Sequence, residues 1–116
     1  HDFFFIHVKK TDSAGEDGDF LRKVEAIEEV DSALPQLLNL KPDVIVVAGD
    51  HSTPALLKGH SWHPVPCLIY SRWCRPDKVD EFSESACAGG VLGTFPSLNI
   101  MSLAMANALK LTKYGA

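Results

Sequence analysis

The fold class of this 116-residue chain is decided by residues 44–51, VIVVAGDH. The first five of these residues are a nearly continuous β-branched run, which is typical of a strand covered on both faces. On the amino-terminal side, residues 3–8 (FFFIHV) are a second apolar run, and apolar residues recur at three- and four-residue spacing between Phe20 and Leu38. That spacing predicts a helix. A strand, a helix and a strand of this size form a βαβ unit, so we expect parallel strands.

Turn and cap residues place the remaining boundaries. Residues 9–19 are polar and contain two glycines, which predicts a loop, and Asp19 is the expected cap of the helix that follows. Pro35 is expected to kink or restart that helix, because proline has no amide hydrogen. Further along, residues 54–58 predict one helical turn and residues 67–70 (CLIY) a third strand. A final helix is expected to begin near Leu98 and to end near Lys110 and Lys113.

Composition excludes several classes of protein. Hydrophobic residues make up 46% and charged residues 22% of the chain, as in an ordinary globular domain. The net charge of −4, without a basic stripe, argues against a nucleic-acid partner. There is no C-x-x-C spacing among Cys67, Cys74 and Cys87, so we expect reduced thiols. Nothing in these residues resembles a signal peptide, and no apolar run approaches the roughly 18 residues of a membrane span, so we expect a cytoplasmic protein without membrane contact.

Acidic and imidazole side chains cluster around the predicted strands. In parallel α/β sheets, ligands bind beyond the carboxyl ends of the strands. Asp12 and Glu16 follow the first predicted strand, and the pair Asp50-His51 follows the second. The third strand is preceded by a loop that contains His60 and a second histidine. We therefore expect these side chains to meet at one edge of the sheet.

Carboxylates and imidazoles without a thiolate suit a hard or borderline divalent ion. Manganese and zinc fit best and magnesium is possible. Two such ions would stabilise the charge of a transferring phosphoryl group and would relieve the repulsion among clustered acids. The alternative is structural, because Asp, Gly and His are also common turn residues and a loop histidine is usually only solvated.

Three motifs together resemble one family. Residues 12–20 are DSAGEDGDF, residues 49–54 are GDHSTP and residues 59–66 are GHSWHPVP. In this order and spacing they resemble the metal motifs of archaeal-type cofactor-independent phosphoglycerate mutases, in the alkaline phosphatase superfamily. The resemblance is strong over residues 2–70 and looser beyond them. It implies an α/β fold, here a parallel-sheet three-layer fragment of an alkaline-phosphatase-like core.

The resemblance also implies an activity and a ligand set. Members of the family interconvert 3-phosphoglycerate and 2-phosphoglycerate through a phosphoserine, with two divalent metal ions. Asp12 and His60 would hold one ion, and Asp50 and His51 would help to hold the other. The family commonly has histidine where this chain has Glu16, so Glu16 is either a ligand for a harder metal or an acid at the start of the following helix.

The rest of the family's active site has no counterpart among these residues. The nucleophilic serine and the substrate-binding domain are expected upstream, so residues 1–116 are interpreted as one domain from the carboxy-terminal part of the protein, inactive by itself and partnered by its missing amino-terminal part. No catalytic nucleophile is assigned here, and Ser52 is expected to orient His51 or to cap a turn. His63 and Arg72 are candidates for contact with the phosphoglycerate substrate.

Two other functions stay open at this point. One is another metal-dependent phosphatase or phosphotransferase of the same superfamily, because the metal motifs do not select the substrate. The other is a non-catalytic α/β interaction domain, in which the acids and histidines are loop residues and no metal binds.

Overall fold

The computed structural model describes residues 1–112 and 114. It contains helices and a small sheet, which confirms the α/β class. The chain divides into two compact units. The first consists of His1–Leu40 and His51–His63, and the second consists of Lys41–Asp50 and Pro64–Ala116.

Two helices dominate the first unit. Helix α1 spans Lys10–Asp17 and helix α2 spans Phe20–Asn39. Gly18 ends α1 in the left-handed conformation, with φ 75°, which glycine adopts without the steric penalty of a Cβ. Asp19 caps α2, because its side chain accepts a hydrogen bond from the Arg22 amide at 3.0 Å, as predicted. The loop expected at residues 9–19 is wrong: most of it is α1, and only Gly18 and Asp19 form the turn.

Helix α2 continues through Pro35 to Asn39, so the helix does not restart at Pro35, and the alternative, a kink at Pro35, stays a prediction. Proline removes one backbone hydrogen bond, and the remaining bonds of this 20-residue helix hold it as one element. Ala26 is the buried residue of α2, whereas Phe20 and Ile27 are 65% and 53% exposed. The apolar face predicted from the spacing therefore exists but lies largely open.

Residues 3–8 are not a strand, which corrects the first element of the predicted βαβ unit. Phe3, Phe4, Phe5 and Ile6 are 60–81% exposed. A strand is defined by hydrogen bonds to a neighbour, and the structure records no β-pairing for residues 3–8. The apolar, aromatic composition of residues 3–8 favours a strand, but no neighbouring strand forms hydrogen bonds with it.

The sheet lies in the second unit and has two strands. Strand β1 spans Val44–Ala48 and β2 spans Cys67–Ser71, which confirms both predicted elements. They pair antiparallel, with Val44 opposite Ser71 and Ala48 opposite Cys67. The expectation of a parallel sheet is therefore wrong for this pair. A parallel pair needs a crossover connection, usually a helix, and the described residues between β1 and β2 contain only turns and one isolated bridge.

The second unit continues with short helices. They are α3 at Glu84–Cys87, a 3-10 helix at Ser97–Asn99 and α4 at Ile100–Asn107. The predicted final helix is confirmed, but it ends at Asn107, before Lys110; Lys113 lies outside the described residues. The three cysteines are free.

Little apolar surface is buried. Among residues 1–112 and 114, the buried apolar side chains are those of Ala14 and Ala26. Within the same residues, no helix combines the length and the apolar character that a membrane span requires.

Candidate metal centre

A single β-bridge in the first unit arranges the two histidine motifs. Ser52 and Ser61 face each other in an isolated antiparallel bridge, and the Ser61 amide donates to the Ser52 carbonyl at 2.9 Å. Side chains alternate along extended backbone, so the residues flanking the bridge share one face. His51 and His60 therefore come together, with their ring centroids 4.0 Å apart.

Helix α1 brings a carboxylate to the two imidazoles. Asp12 lies in its first turn, with 10% of its side chain exposed. The Asp12 Oδ1 atom is 3.5 Å from His60 Nε2 and 3.9 Å from His51 Nδ1. Asp12, His51 and His60 thus offer one ligand atom each, all within 4.8 Å of one another.

This donor set fits a divalent cation. Two ligand atoms bound at about 2.1 Å to a tetrahedral ion lie about 3.4 Å apart, close to the 3.5 Å between Asp12 and His60. A carboxylate with two imidazoles suits zinc and manganese. No cysteine belongs to this group of three side chains. Burial, together with the neighbouring Cys87, raises the pKa of the Cys67 thiol, so this thiol stays protonated.

The Asp12 carboxylate is held in its charged form. A hydrogen bond from the Lys9 ammonium and a second one from the Thr53 hydroxyl lower the pKa of Asp12 to about 2, against a smaller opposing effect of burial. The Lys9 ammonium places a cation directly on this carboxylate. Asp12 is therefore a negative ligand at neutral pH that already binds one positive charge.

Glu16 lies on the same side of α1, one turn beyond Asp12. Its Oε1 atom is 3.7 Å from His60 Nε2, and half of its side chain is exposed. Glu16 lies in the last turn of α1, at the negative end of the helix dipole, where a negative side chain is unfavourable. No basic residue in that turn offsets its charge. The structural alternative, an acid at the start of α2, does not describe this position, because Asp19 is the residue that caps α2.

The other predicted site residues lie outside this group. Asp50 belongs to the second unit, as does Arg72, whose guanidinium carbon lies 5.2 Å from the Trp73 ring centroid. His63 is exposed, stacks on Trp62 at 5.0 Å and lies 2.8 Å from the Ser61 hydroxyl. Their assigned roles stay predictions.

Two residues that the motifs did not single out support the cluster. Thr53 is 3% exposed and contacts both Asp12 and His51, whereas Ser52 is the residue that the sequence suggested for orienting His51. A Cβ at Gly15 would lie 2.3 Å from the Thr53 carbonyl oxygen, so only glycine lets α1 pass this close. A glycine inside a helix indicates such a close approach, but the sequence predicted a loop at this position, so the signal was not recognised.

Comparison with known proteins defines the class. A sequence model of the family described as Metalloenzyme superfamily matches residues 1–107. The chain therefore belongs to the Metalloenzyme superfamily. A group of three potential metal ligands agrees with that membership.

The names of individual relatives are more specific than that of the superfamily. The chain is 59% identical over 116 residues to a protein of Thermosipho melanesiensis, and 60% identical to one of Deinococcus radiodurans. Both are named "Probable 2,3-bisphosphoglycerate-independent phosphoglycerate mutase", which confirms the resemblance found in the motifs. All of this chain is aligned in both cases, but it spans only 29% and 28% of the relatives' length.

One solved structure is similar over most of this chain. The PH0037 protein from Pyrococcus horikoshii matches with a TM-score of 0.86 and 36% sequence identity. The match covers 91% of this chain and 33% of that one. In this comparison, too, the chain corresponds to about a third of a longer protein.

Proposed function

We propose that this chain supplies part of the metal site of a longer 2,3-bisphosphoglycerate-independent phosphoglycerate mutase. That protein would interconvert 3-phosphoglycerate and 2-phosphoglycerate through a phosphoserine. One observation carries the proposal: Asp12, His51 and His60 converge in a chain that is 59% identical, over its whole length, to a relative named as such a mutase. We place the activity in the cytoplasm and in glycolysis or gluconeogenesis.

The remaining parts of the active site belong, in this proposal, to the rest of the longer protein. The chain spans about 29% of its curated relatives, which leaves room for the nucleophilic serine and the substrate-binding domain. The exposed side chains of Phe3, Phe4 and Phe5 support this view, because contiguous apolar surface of this kind marks an interface. The longer protein would complete a three-layer, alkaline-phosphatase-like core, and the isolated 116-residue chain would have no mutase activity.

Asp12 and His60 are the proposed ligands of one divalent ion. Glu16 is the proposed third ligand, because it faces His60 from an otherwise unfavourable position at the end of a helix. His51, with Asp50 beside it in sequence, would contribute to a second ion, and a separation of about 3.5–4 Å is usual for such pairs. Manganese is the proposed metal, because it accepts both carboxylate and imidazole ligands.

The chemistry of the site follows from these charges. A bound divalent ion supplies positive charge that offsets the charge of a phosphoryl group during transfer. The chain itself holds Asp12 ionised and keeps His51 and His60 on one face by means of the Ser52–Ser61 bridge. His63 and Arg72 are proposed to bind the substrate phosphate, a role that suits the planar guanidinium.

The test measures turnover and metal content of the longer protein. We expect conversion of 3-phosphoglycerate without added 2,3-bisphosphoglycerate, its loss on treatment with EDTA and its recovery with Mn²⁺. Asp12→Asn and His60→Ala should each lower kcat at least about 100-fold, with loss of bound metal. Asp17→Asn is the matched control, because Asp17 lies on the same helix but pairs with Arg22 at 2.8 Å.

Each alternative function predicts a different result. Release of inorganic phosphate without isomerisation would indicate another phosphatase of the superfamily. Absence of both metal binding and turnover would indicate a non-catalytic interaction domain. Full mutase activity after removal of all metal would overturn the proposal.

A further inference from the structure

One lysine of α2 faces the interior of the first unit. Lys23 lies one turn before Ala26, the buried residue of this helix, and residues three apart lie on the same helix face. The side chain of Lys23 is partly buried, and its ammonium group donates a hydrogen bond of 2.5 Å to the carbonyl oxygen of Thr53. Lysine thus contributes its charged group to the backbone of a neighbouring loop rather than to solvent.

The Thr53 carbonyl needs such a donor. Thr53 is 3% exposed, and a buried backbone carbonyl without a hydrogen-bond partner is destabilising. Helix α1 passes against this oxygen at Gly15, where a Cβ would lie 2.3 Å away, so α1 offers no side chain at the point of contact. The hydrogen bond comes instead from Lys23 of α2.

A fixed Thr53 carbonyl also restricts the Thr53 side chain, because the side chain is β-branched and few rotamers are open to it. The Thr53 hydroxyl donates a hydrogen bond of 2.6 Å to Asp12 Oδ1. Lys23 therefore joins α2 to the loop, and Thr53 joins the loop to α1. The three segments meet beside the Asp12 carboxylate of the candidate metal centre.

From these contacts we infer that Lys23 is a positioning residue, which holds the Thr53 carbonyl and thereby keeps residues 51–53 against α1 in the arrangement that binds a divalent cation. The inference rests on the metal site of the proposed function. The recorded partner of the Lys23 ammonium group is a backbone carbonyl and not a ligand atom, so its effect on the cation passes through the loop. Residues that orient metal ligands in this way typically change metal affinity 10–100-fold when they are replaced.

The charge of Lys23 by itself predicts the opposite effect. A positive side chain repels a nearby cation, so removal of the charge alone should strengthen metal binding. A weaker affinity in a variant without the ammonium group would therefore report the lost hydrogen bond. Lys10 provides the matched control, because its ammonium group pairs with Glu29 at 2.7 Å in an exposed ion pair and its removal deletes the same charge.

The test compares four forms of the longer protein: wild type, Lys23→Met, which keeps the stem but lacks the donor, Lys23→Arg, which keeps the charge and the donors, and Lys10→Met. Calorimetry measures the Kd for Mn²⁺, and turnover at increasing Mn²⁺ measures kcat at saturating metal. Amide hydrogen exchange in the metal-free protein is followed at Ser61, whose amide donates to the Ser52 carbonyl.

We expect the Kd for Mn²⁺ to rise about tenfold in Lys23→Met and to return close to the wild-type value in Lys23→Arg. Lys10→Met should bind Mn²⁺ at least as tightly as wild type. At saturating Mn²⁺ the kcat of Lys23→Met should be close to that of wild type, because the loss lies in the arrangement of the empty site. The Ser61 amide should exchange faster in Lys23→Met than in Lys10→Met.

Unchanged or tighter Mn²⁺ binding in Lys23→Met would overturn the role of Lys23 alone, as would a folded Lys23→Arg that does not restore binding. If Lys23→Met does not fold, Lys23→Gln, whose side chain is one bond shorter than that of lysine, takes its place with the same expected results. A wild type that binds no divalent metal would overturn both this inference and the proposed function.

Discussion

Each compact unit contains one buried polar network, and the two networks differ in how far their side chains are exposed to solvent. The Asp12 network consists of Asp12, Thr53, His51 and His60, and the Ser71 network of Ser71, Trp73, Cys74 and Asn107. In the first, the carboxylate is buried while the imidazoles of His51 and His60 stay 31% and 56% exposed. In the second, Ser71 is 4% exposed, donates to Asn107 at 2.9 Å and accepts two backbone amides.

The difference lies in how much of each network is exposed to solvent. All the hydrogen-bonding capacity of the Ser71 hydroxyl is spent inside the protein, so this network joins β2 to α4 and has nothing to offer a ligand. In the Asp12 network the two imidazoles are partly exposed, and imidazole is a common metal ligand. Burial of a polar group thus marks a binding site only where ionisable partners remain accessible, and mutations should separate the two cases.

The largest effect is expected from Gly15→Ala, which should damage the Asp12 network. A methyl group there would lie 2.3 Å from the Thr53 carbonyl oxygen, and neither α1 nor the loop can yield without moving Thr53. We expect a loss of about 3 kcal/mol in the free energy of unfolding, at the upper end of overpacking costs, together with weaker Mn²⁺ binding. Thermal unfolding and calorimetry of the longer protein measure the two effects.

Gly59→Ala is the matched control for this prediction. A Cβ at Gly59 would meet its nearest neighbour, the Leu57 carbonyl oxygen, at 3.9 Å, an ordinary contact. Its stability and metal affinity should stay near those of wild type. Equal behaviour of the two variants would contradict the close approach of α1 to Thr53.

A smaller effect, confined to stability, is expected from Ser71→Ala. The change leaves Asn107 and the amides of Trp73 and Cys74 without their partner, which should cost about 1–2 kcal/mol. Hydrogen exchange should speed up at the amides of Trp73 and Cys74, and Mn²⁺ affinity should not change. Ser102→Ala, at an exposed serine of α4, is the control, and a loss of metal affinity in Ser71→Ala would break the distinction between the networks.

The sequence predicted the elements that depend on local interactions and failed for those that depend on distant parts of the chain. Helix α2, strands β1 and β2 and the Asp19 cap depend on local spacing and propensity, and all were predictable. The strand at residues 3–8 was not, because a strand exists only with a hydrogen-bonded neighbour, and propensity does not name that neighbour. The parallel pairing failed for the same reason: direction depends on how the chain returns, which no single segment encodes.

The candidate site divides in a similar way. Asp12, His51 and His60 carry recognisable side chains in recognisable motifs, so they could be proposed as ligands from the sequence. Thr53 could not be connected with Asp12, because 41 residues separate them and their contact depends on the packing of α1 against the loop. The motifs identified the side chains that can bind a metal ion, whereas the hydrogen bonds that orient these side chains depend on the tertiary structure.

The smallest effect concerns a second carboxylate, Asp77, which sharpens the comparison with Asp12. Asp77 is exposed and accepts the amides of Val79 at 2.9 Å and Val91 at 3.0 Å; these bonds, with Val91 the larger cause, lower its pKa. A carboxyl with a lowered pKa in the folded state stabilises the fold above its unfolded pKa of about 3.9, and loses that contribution as pH falls through the folded value.

Asp77→Asn keeps the acceptor oxygen but removes the charge. Wild type should therefore be more stable than Asp77→Asn at pH 7, by less than the effect of Ser71→Ala, and this advantage should shrink as the pH falls below about 4. Thermal unfolding at both pH values, with Asp80→Asn as an exposed control, measures it. Because Asp77 binds backbone amides whereas Asp12 binds side chains beside two imidazoles, metal affinity should be unchanged in Asp77→Asn. An advantage that grew on acidification would show that Asp77 does not hold these amides as a carboxylate.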